Sequence, residues 1–368
     1  MEDGTLHILI IKLSAIGDVV HSLPLLEVLR KRFPHAIIDW VVEEDASGIV
    51  EGHPLIDELL IFPRKGWLRR FTGKGERISV GREAARFIRE LRSRRYDIVI
   101  DLQGLLKSGI LVFLARGKRK IAFNNGREGS GLFVHERVPV PDLDVHALER
   151  YLYIARHLGV ENPSWDGSIP VYENDKAYVD SHLVHLDPDR TLVAVNPIAK
   201  WETKLWESSR FALLADLINE KLAATVIFTG NGADRDSIAA IQSEMKTETL
   251  NLAGRTTLRQ LAYLYQRCAV VISTDTGPMH IAAAMKFPIV VGLFGPTSPL
   301  RTGPYGAGQR VVRAGVACSP CFKKRCDDRQ CMRQITVDMV YDVVKEALSE
   351  SARLRARHKA QGDLRFLP

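Results

Sequence analysis

Short apolar runs bounded by turn residues recur at positions 6–11, 37–42, 59–62, 97–102 and 120–123. Runs of this length read as buried strands. Between several of them the apolar period lengthens to that of a helix, notably over 23–33 and 82–91, so the order is βαβα. That order predicts a parallel sheet with right-handed crossovers. Pro24 falls inside the first helical pattern, which predicts a helix that either starts near Ser22 or kinks at the proline.

The pattern restarts at 192–196, 225–229, 250–252, 269–273 and 289–293, with helices expected over 208–222 and 258–266. Between the halves, 174–190 is polar and ends in Asp187-Pro188-Asp189, which reads as a linker. The expected organisation is therefore one α/β domain over 1–185 and a second over 186–350. The second carries a cysteine-rich loop at 318–331 and an amphipathic helix at 337–348, followed by a basic segment over 351–368. Disorder is favoured for that segment over a surface-lying helix.

A chain of 368 residues suits two such domains. It begins Met1-Glu2-Asp3-Gly4, and Lys12 stops its first apolar stretch, so neither a signal peptide nor a membrane span is read and the expected location is cytosolic. The net charge is +7, yet 64–95 alone holds twelve Lys and Arg against three Glu. The basicity is a patch, which predicts an anionic partner nearby. Arg82, Arg86 and Arg89 read as a solvated helix face. Arg64, Lys65, Arg69 and Arg70, interleaved with Trp67, Leu68 and Phe71, suit a loop that meets lipid head groups. No nucleic-acid motif accompanies the patch, so nucleic acid is not an expected partner.

Two junctions carry candidate chemistry. Ile272-Ser273-Thr274-Asp275-Thr276-Gly277-Pro278-Met279-His280 joins a strand pattern directly to a helical one, aiming helix N-terminal amides at an anion with a carboxylate and an imidazole beside it. It reads as a phosphate site. The second junction, Ser14-Ala15-Ile16-Gly17-Asp18, presents Asp18 either as a functional carboxylate at a strand exit or as a helix cap; spacing leaves both readings open. Its single glycine lacks the dinucleotide fingerprint, which argues against an oxidoreductase. Lys204, in the loop before the 208–222 helix, can neutralise phosphate or be merely solvated. His280 can be a buried helix-start histidine or a neighbour of the bound anion, and Asp234, after Gly230-Asn231-Gly232, suits a ribose hydroxyl.

At this point the residues resemble the heptosyltransferases of lipopolysaccharide core synthesis, glycosyltransferase family 9. The likeness lies in Lys12-Leu13-Ser14-Ala15-Ile16-Gly17-Asp18-Val19, Asp101-Leu102-Gln103-Gly104, Lys204-Leu205-Trp206, the 273–280 junction and Phe294-Gly295-Pro296-Thr297. The resemblance implies a GT-B fold, two Rossmann-like parallel-sheet domains facing across a cleft, with the acceptor in the first and ADP-heptose in the second. It implies Asp18 as general base, Lys204 on the diphosphate, Thr276 and Gly277 on phosphate, and Asp275 and His280 near heptose and diphosphate. Asp234 would hold the ribose, Thr256 the adenine, and Arg64, Lys65 and Arg127 the acidic acceptor. No cofactor and no catalytic metal are expected. The partners it implies are ADP-heptose, a membrane-anchored lipopolysaccharide precursor and anionic inner-leaflet lipids, with the enzyme peripheral at the cytoplasmic face of the inner membrane. Rival readings are a relative with another nucleotide sugar or acceptor, or a non-catalytic nucleotide-sugar-binding or redox-sensing protein.

Cys318, Cys321, Cys326 and Cys331 form a C-x2-C-x4-C-x4-C cluster, whereas Cys268 stands alone beside a strand. Four cysteines so close suggest a structural zinc, an iron-sulfur centre or redox chemistry, against unliganded thiols in a surface loop. Lys323, Lys324 and Arg325 would make those thiols more acidic.

Overall fold

The computed structural model describes residues 5–72, 77–140, 142 and 144–360. The chain divides into two compact units, Met1–Pro170 and Val171–Pro368. In the first, strands β1 (His7–Ile11), β2 (Ile37–Glu43), β3 (Glu58–Phe62), β4 (Arg95–Asp101), β5 (Arg116–Phe123) and β6 (Glu136–Val138) form one sheet in the order β3-β2-β1-β4-β5-β6. Every pairing is parallel. The second unit repeats this order with β7 (Thr191–Asn196), β8 (Ala224–Phe228), β9 (Leu250–Asn251), β10 (Val270–Thr274), β11 (Ile289–Leu293) and β12 (Arg310–Val312), arranged β12-β11-β10-β7-β8-β9. Its pairings are parallel too.

Both central strands are apolar on both faces because helices cover both sides. Ile8 to Ile11 and Val270 to Ile272 are fully buried. In each sheet the strand order reverses at the central pair, β1/β4 and β7/β10. That is where open α/β sheets place ligands, beyond the strands' carboxyl ends.

Three expectations are corrected. The first helix runs Ile16–Arg32 with Pro24 in its interior, so it starts well before Ser22. The polar 174–190 segment is mostly the helix Glu173–Leu183, packed on the helix Leu258–Arg267, and the units divide at Pro170 rather than at 185. Arg259 to Asp175 and Arg267 to Asp180 are its ionic ties to that helix. The basic segment after 350 continues the helix Val337–Ala360, with the Arg355 guanidinium 4.7 Å from the Phe287 ring; residues 361–368 lie outside the described residues. Among the described residues no helix is long and apolar enough to cross a membrane.

Candidate active site

In the first unit, β1 delivers Lys12, Leu13 and Ser14 to the sheet's carboxyl end. Gln103, two residues past β4, holds this turn: its Oε1 accepts the Leu13 and Ser14 amides at 3.2 and 3.0 Å. Asp101 fixes Gln103 in turn, accepting the amides of Gln103 and Gly104 at 2.8 and 3.1 Å and the Ser108 hydroxyl at 2.9 Å. Asp18 then falls in the first turn of the helix Ile16–Arg32. Its Oδ2 accepts the Ala15 amide at 3.2 Å, so the capping contact is real, yet its side chain stays 42% exposed.

Lys12 is buried, with Nζ 4.0 Å from Asp18 Oδ2 and 3.2 Å from the Leu102 carbonyl. Burial works against its charge, but Tyr151, Asp18 and Asp101 outweigh that and lift its pKa above the ordinary lysine value. A permanent cation therefore lies under the Asp18 carboxylate. Lys12 stood in the quoted motif without a role, and the signal that could have found it is a lysine in the residue after a buried strand.

The expected acceptor residues separate. Arg64 Nε donates to Glu43 Oε1 at 2.8 Å, and Lys107 Nζ donates to the same oxygen at 2.7 Å and to Ser14 Oγ at 2.9 Å. Burial would raise the Glu43 pKa, but these cations hold it below the usual carboxylate range. Arg64 thus joins a network ending one turn from Asp18. Lys65 pairs with Asp45 instead. Arg127 is exposed, with its amide donating to the Gly104 carbonyl at 2.9 Å. Glu43 and Lys107 escaped the sequence reading because a strand-end residue and a helix residue far apart in sequence meet only in the fold.

In the second unit, the single turn Glu202–Lys204 follows β7 and sends Lys204 Nζ to Asp275, 2.6 Å from Oδ2 and 3.1 Å from its carbonyl. Thr297, past β11, donates to the same Oδ2 at 2.6 Å. The Lys204 ammonium also lies 4.6 Å from the Trp201 ring centroid. Asp275 is buried, and the helix Gly277–Ala284 begins two residues later, its N-cap Thr276 making no side-chain cap hydrogen bond. The amino end of such a helix carries a positive dipole end that favours an anion. His280 is buried in that turn.

Asp234 and Thr256 stand on adjoining loops. Asp234 Oδ2 accepts the Asn231 amide at 2.8 Å, closing the turn before the helix Arg235–Ser243. Gly254, at φ +68°, lies so close to Gly232 that a Cβ on it would come within 2.6 Å of the Gly232 Cα. Thr256 follows, half-buried.

Cys318, Cys321, Cys326 and Cys331 line one cavity together with Thr203 and Pro296. All the cysteines are free thiols, and among the described residues no group of three or more His, Cys, Asp or Glu is placed to hold a metal ion. The zinc and iron-sulfur readings are therefore not supported. Burial, then the neighbouring thiols, push the Cys331 pKa up, opposite to the acidification expected from nearby cations. The loop instead braces the second-unit site. The Cys321 and Phe322 amides donate to the Pro296 carbonyl at 3.0 and 2.8 Å, Ser319 Oγ to the Gly295 carbonyl at 2.6 Å, and Thr203 Oγ1 to the Lys323 carbonyl at 2.8 Å.

Two parallel six-stranded sheets of one strand order, each with charged residues at its carboxyl end, form a GT-B fold. The chain belongs to glycosyltransferase family 9 (heptosyltransferase), whose family model matches residues 84–331. Lipopolysaccharide heptosyltransferase 2 of Salmonella typhimurium is 31% identical over 319 residues, 83% of this chain and 87% of the relative. A family 9 glycosyltransferase structure from Veillonella parvula superimposes with a TM-score of 0.80 at 27% identity, covering 95% of this chain and 99% of that one. The E. coli heptosyltransferase WaaC with ADP gives 0.74 at 25% identity, covering 93% and 100%.

Proposed function

We propose that this enzyme transfers heptose from ADP-L-glycero-D-manno-heptose to the inner core of lipopolysaccharide, at Kdo or the first heptose, by one inverting displacement that needs no metal. The observation that carries the reading is the half-exposed Asp18 carboxylate held over the buried Lys12 cation. Asp18 takes the proton of the acceptor hydroxyl, that oxygen bonds to the anomeric carbon, and the bond from that carbon to the diphosphate breaks to release ADP. General-base help of this kind supplies about 10² to 10⁴ in rate.

The second unit accounts for the leaving group. Lys204 spends two of its three ammonium protons on Asp275, leaving one for a diphosphate oxygen. The Thr276-Gly277 helix start adds amides and a positive dipole end. His280 would stand close to the heptose and diphosphate, Asp234 would take the ribose and Thr256 the adenine, with Arg64, Lys65 and Arg127 toward the acidic acceptor. The acceptor is lipid-anchored, which places the enzyme at the cytoplasmic face of the inner membrane.

The test is transfer from ADP-heptose, with UDP-glucose and UDP-N-acetylglucosamine as controls, onto Kdo-lipid A and onto its monoheptosylated form in chelated buffer. Product from ADP-heptose alone supports the reading, and the acceptor that reacts identifies the step. No product with either acceptor, despite measurable ADP binding, overturns it.

A further inference from the structure

The helices of the first unit divide into two unlike layers. One layer comprises Arg64–Thr72, Arg77–Leu91 and Leu106–Leu114 with the turn Ser130–Phe133. Trp67, Phe87, Leu91, Leu111, Val112 and Phe133 from it pack into one core cluster with Leu9, Val41 and Val99 of the sheet. The two long helices Ile16–Arg32 and Ala147–His157 pack on each other and contribute nothing to that cluster; the short helix Glu44–Ser47 belongs to neither layer.

Exposure separates the layers. On the second, no large hydrophobic side chain is exposed. The first exposes Leu68, Phe71 and Ile78 from its basic helices. It also exposes Leu106, Ile110 and Phe113, a stripe at i, i+4, i+7 on the solvent side of their helix, beside Leu132 of the following turn. Phe113 is 65% and Leu132 82% exposed. Gly109 joins the helix to that turn, since a Cβ there would come within 2.6 Å of the Phe133 ring.

Charge separates them as well. Arg64, Lys65 and Arg70 are consumed by Glu43, Asp45 and Glu83. Arg69, Arg77, Arg82, Arg86, Arg89 and Arg92 are exposed and have no carboxylate partner among the described residues. The exposed carboxylate of Glu90 is too little to offset them.

We propose that this helical layer is a membrane-insertion surface: Ile110, Phe113 and Leu132 enter the acyl region of an anionic bilayer while the unpaired arginines engage its head groups. Unpaired cations alone would serve nucleic acid equally well, but a phosphate backbone gives large apolar side chains nothing to bury against, whereas a bilayer accepts both. The inference deepens the proposed function, resting on it only for the purpose of docking beside a lipid-anchored acceptor.

The test mixes the full chain with vesicles of phosphatidylglycerol in phosphatidylcholine, and of phosphatidylcholine alone, without donor or acceptor. The wild type should sediment with the anionic vesicles. Ile110→Ser/Phe113→Ser/Leu132→Ser and Arg82→Glu/Arg86→Glu/Arg89→Glu should each weaken binding about tenfold or more, the binding that survives the serine changes being the more salt-sensitive. Both variants should keep the wild-type melting temperature, because the changed side chains are exposed. They should also keep the wild-type rate on a water-soluble acceptor fragment; loss there faults the catalytic reading, not this one. Wild type left in the supernatant with anionic vesicles, or serine variants that bind like wild type, overturns the proposal. So does tight duplex-DNA binding in place of vesicle binding, or a wild-type dimer that the serine changes make monomeric.

Discussion

The two halves share one strand order and place a lysine-carboxylate pair beyond the strands' carboxyl ends, but they exchange which charge is hidden. In the first half Lys12 is buried and Asp18 is 42% exposed; in the second Asp275 is buried at 5% and Lys204 is the more open partner at 15%. A buried ion fixes its partner electrostatically while the partner keeps access to a ligand. One architecture thereby presents an accessible carboxylate in one half and the more accessible cation in the other.

Asp18→Ala is the sharpest way to break that comparison. It should cut turnover at least about a hundredfold while calorimetric ADP affinity stays at the wild-type value. Equal loss of both would make Asp18 a helix cap and the symmetry accidental. In the other half, Asp275→Ala should loosen ADP binding about tenfold, because Lys204 loses the group that aims it. It should also lower stability to urea by about 2 kcal/mol, the scale of a charged hydrogen bond; wild-type values for both would dissolve the pair as a unit.

Gln103→Leu probes positioning within the first half. Removing the acceptor of the Leu13 and Ser14 amides should lower kcat about tenfold with the donor KM unchanged, as expected when only the base is misplaced. A donor KM that rises in step would assign the turn to donor binding instead.

The smallest effect concerns pH. Burial lowers the His53 pKa from 6.5 to about 4, and its Nδ1 accepts the Leu55 amide at 3.2 Å, a role open only to the neutral ring. As pH falls the unfolded chain takes up this proton first, so the contribution is whole above about 6.5 and is lost progressively toward 4. Melting temperatures across that window should fall less steeply in His53→Gln. Parallel curves would remove His53 from the acid sensitivity of the first half.

Ten of the twelve strands were legible because each contains a short apolar run bounded by turn residues. β6 and β12 were not, since Glu136-Arg137-Val138 and Arg310-Val311-Val312 are too short and too charged to stand out as apolar runs. The helix Leu106–Leu114 was missed because its exposed face is as apolar as its buried one, which erases the amphipathic signal. At the sites, Asp18, Lys204 and Asp275 were visible because each follows the end of a strand pattern. Gln103 and Thr297 stood in the motifs that carry the resemblance, but their contacts did not, and Glu43 and Lys107 were not visible at all, because each contact joins segments remote in sequence. The cysteines were conspicuous, but spacing alone could not distinguish a metal centre from a brace.

That brace makes the enzyme measurable. Cys318 and Cys326 are exposed, and their loop is pinned to the carbonyls of Gly295 and Pro296, next to the Thr297 that bonds Asp275. Burial pushes the Cys268 thiol up to about 12, so it stays silent toward thiol reagents at neutral pH. With the donor seated as proposed, a fluorophore on the loop would report its occupancy, as an intrinsic sensor for titrating donors and inhibitors before any acceptor is in hand.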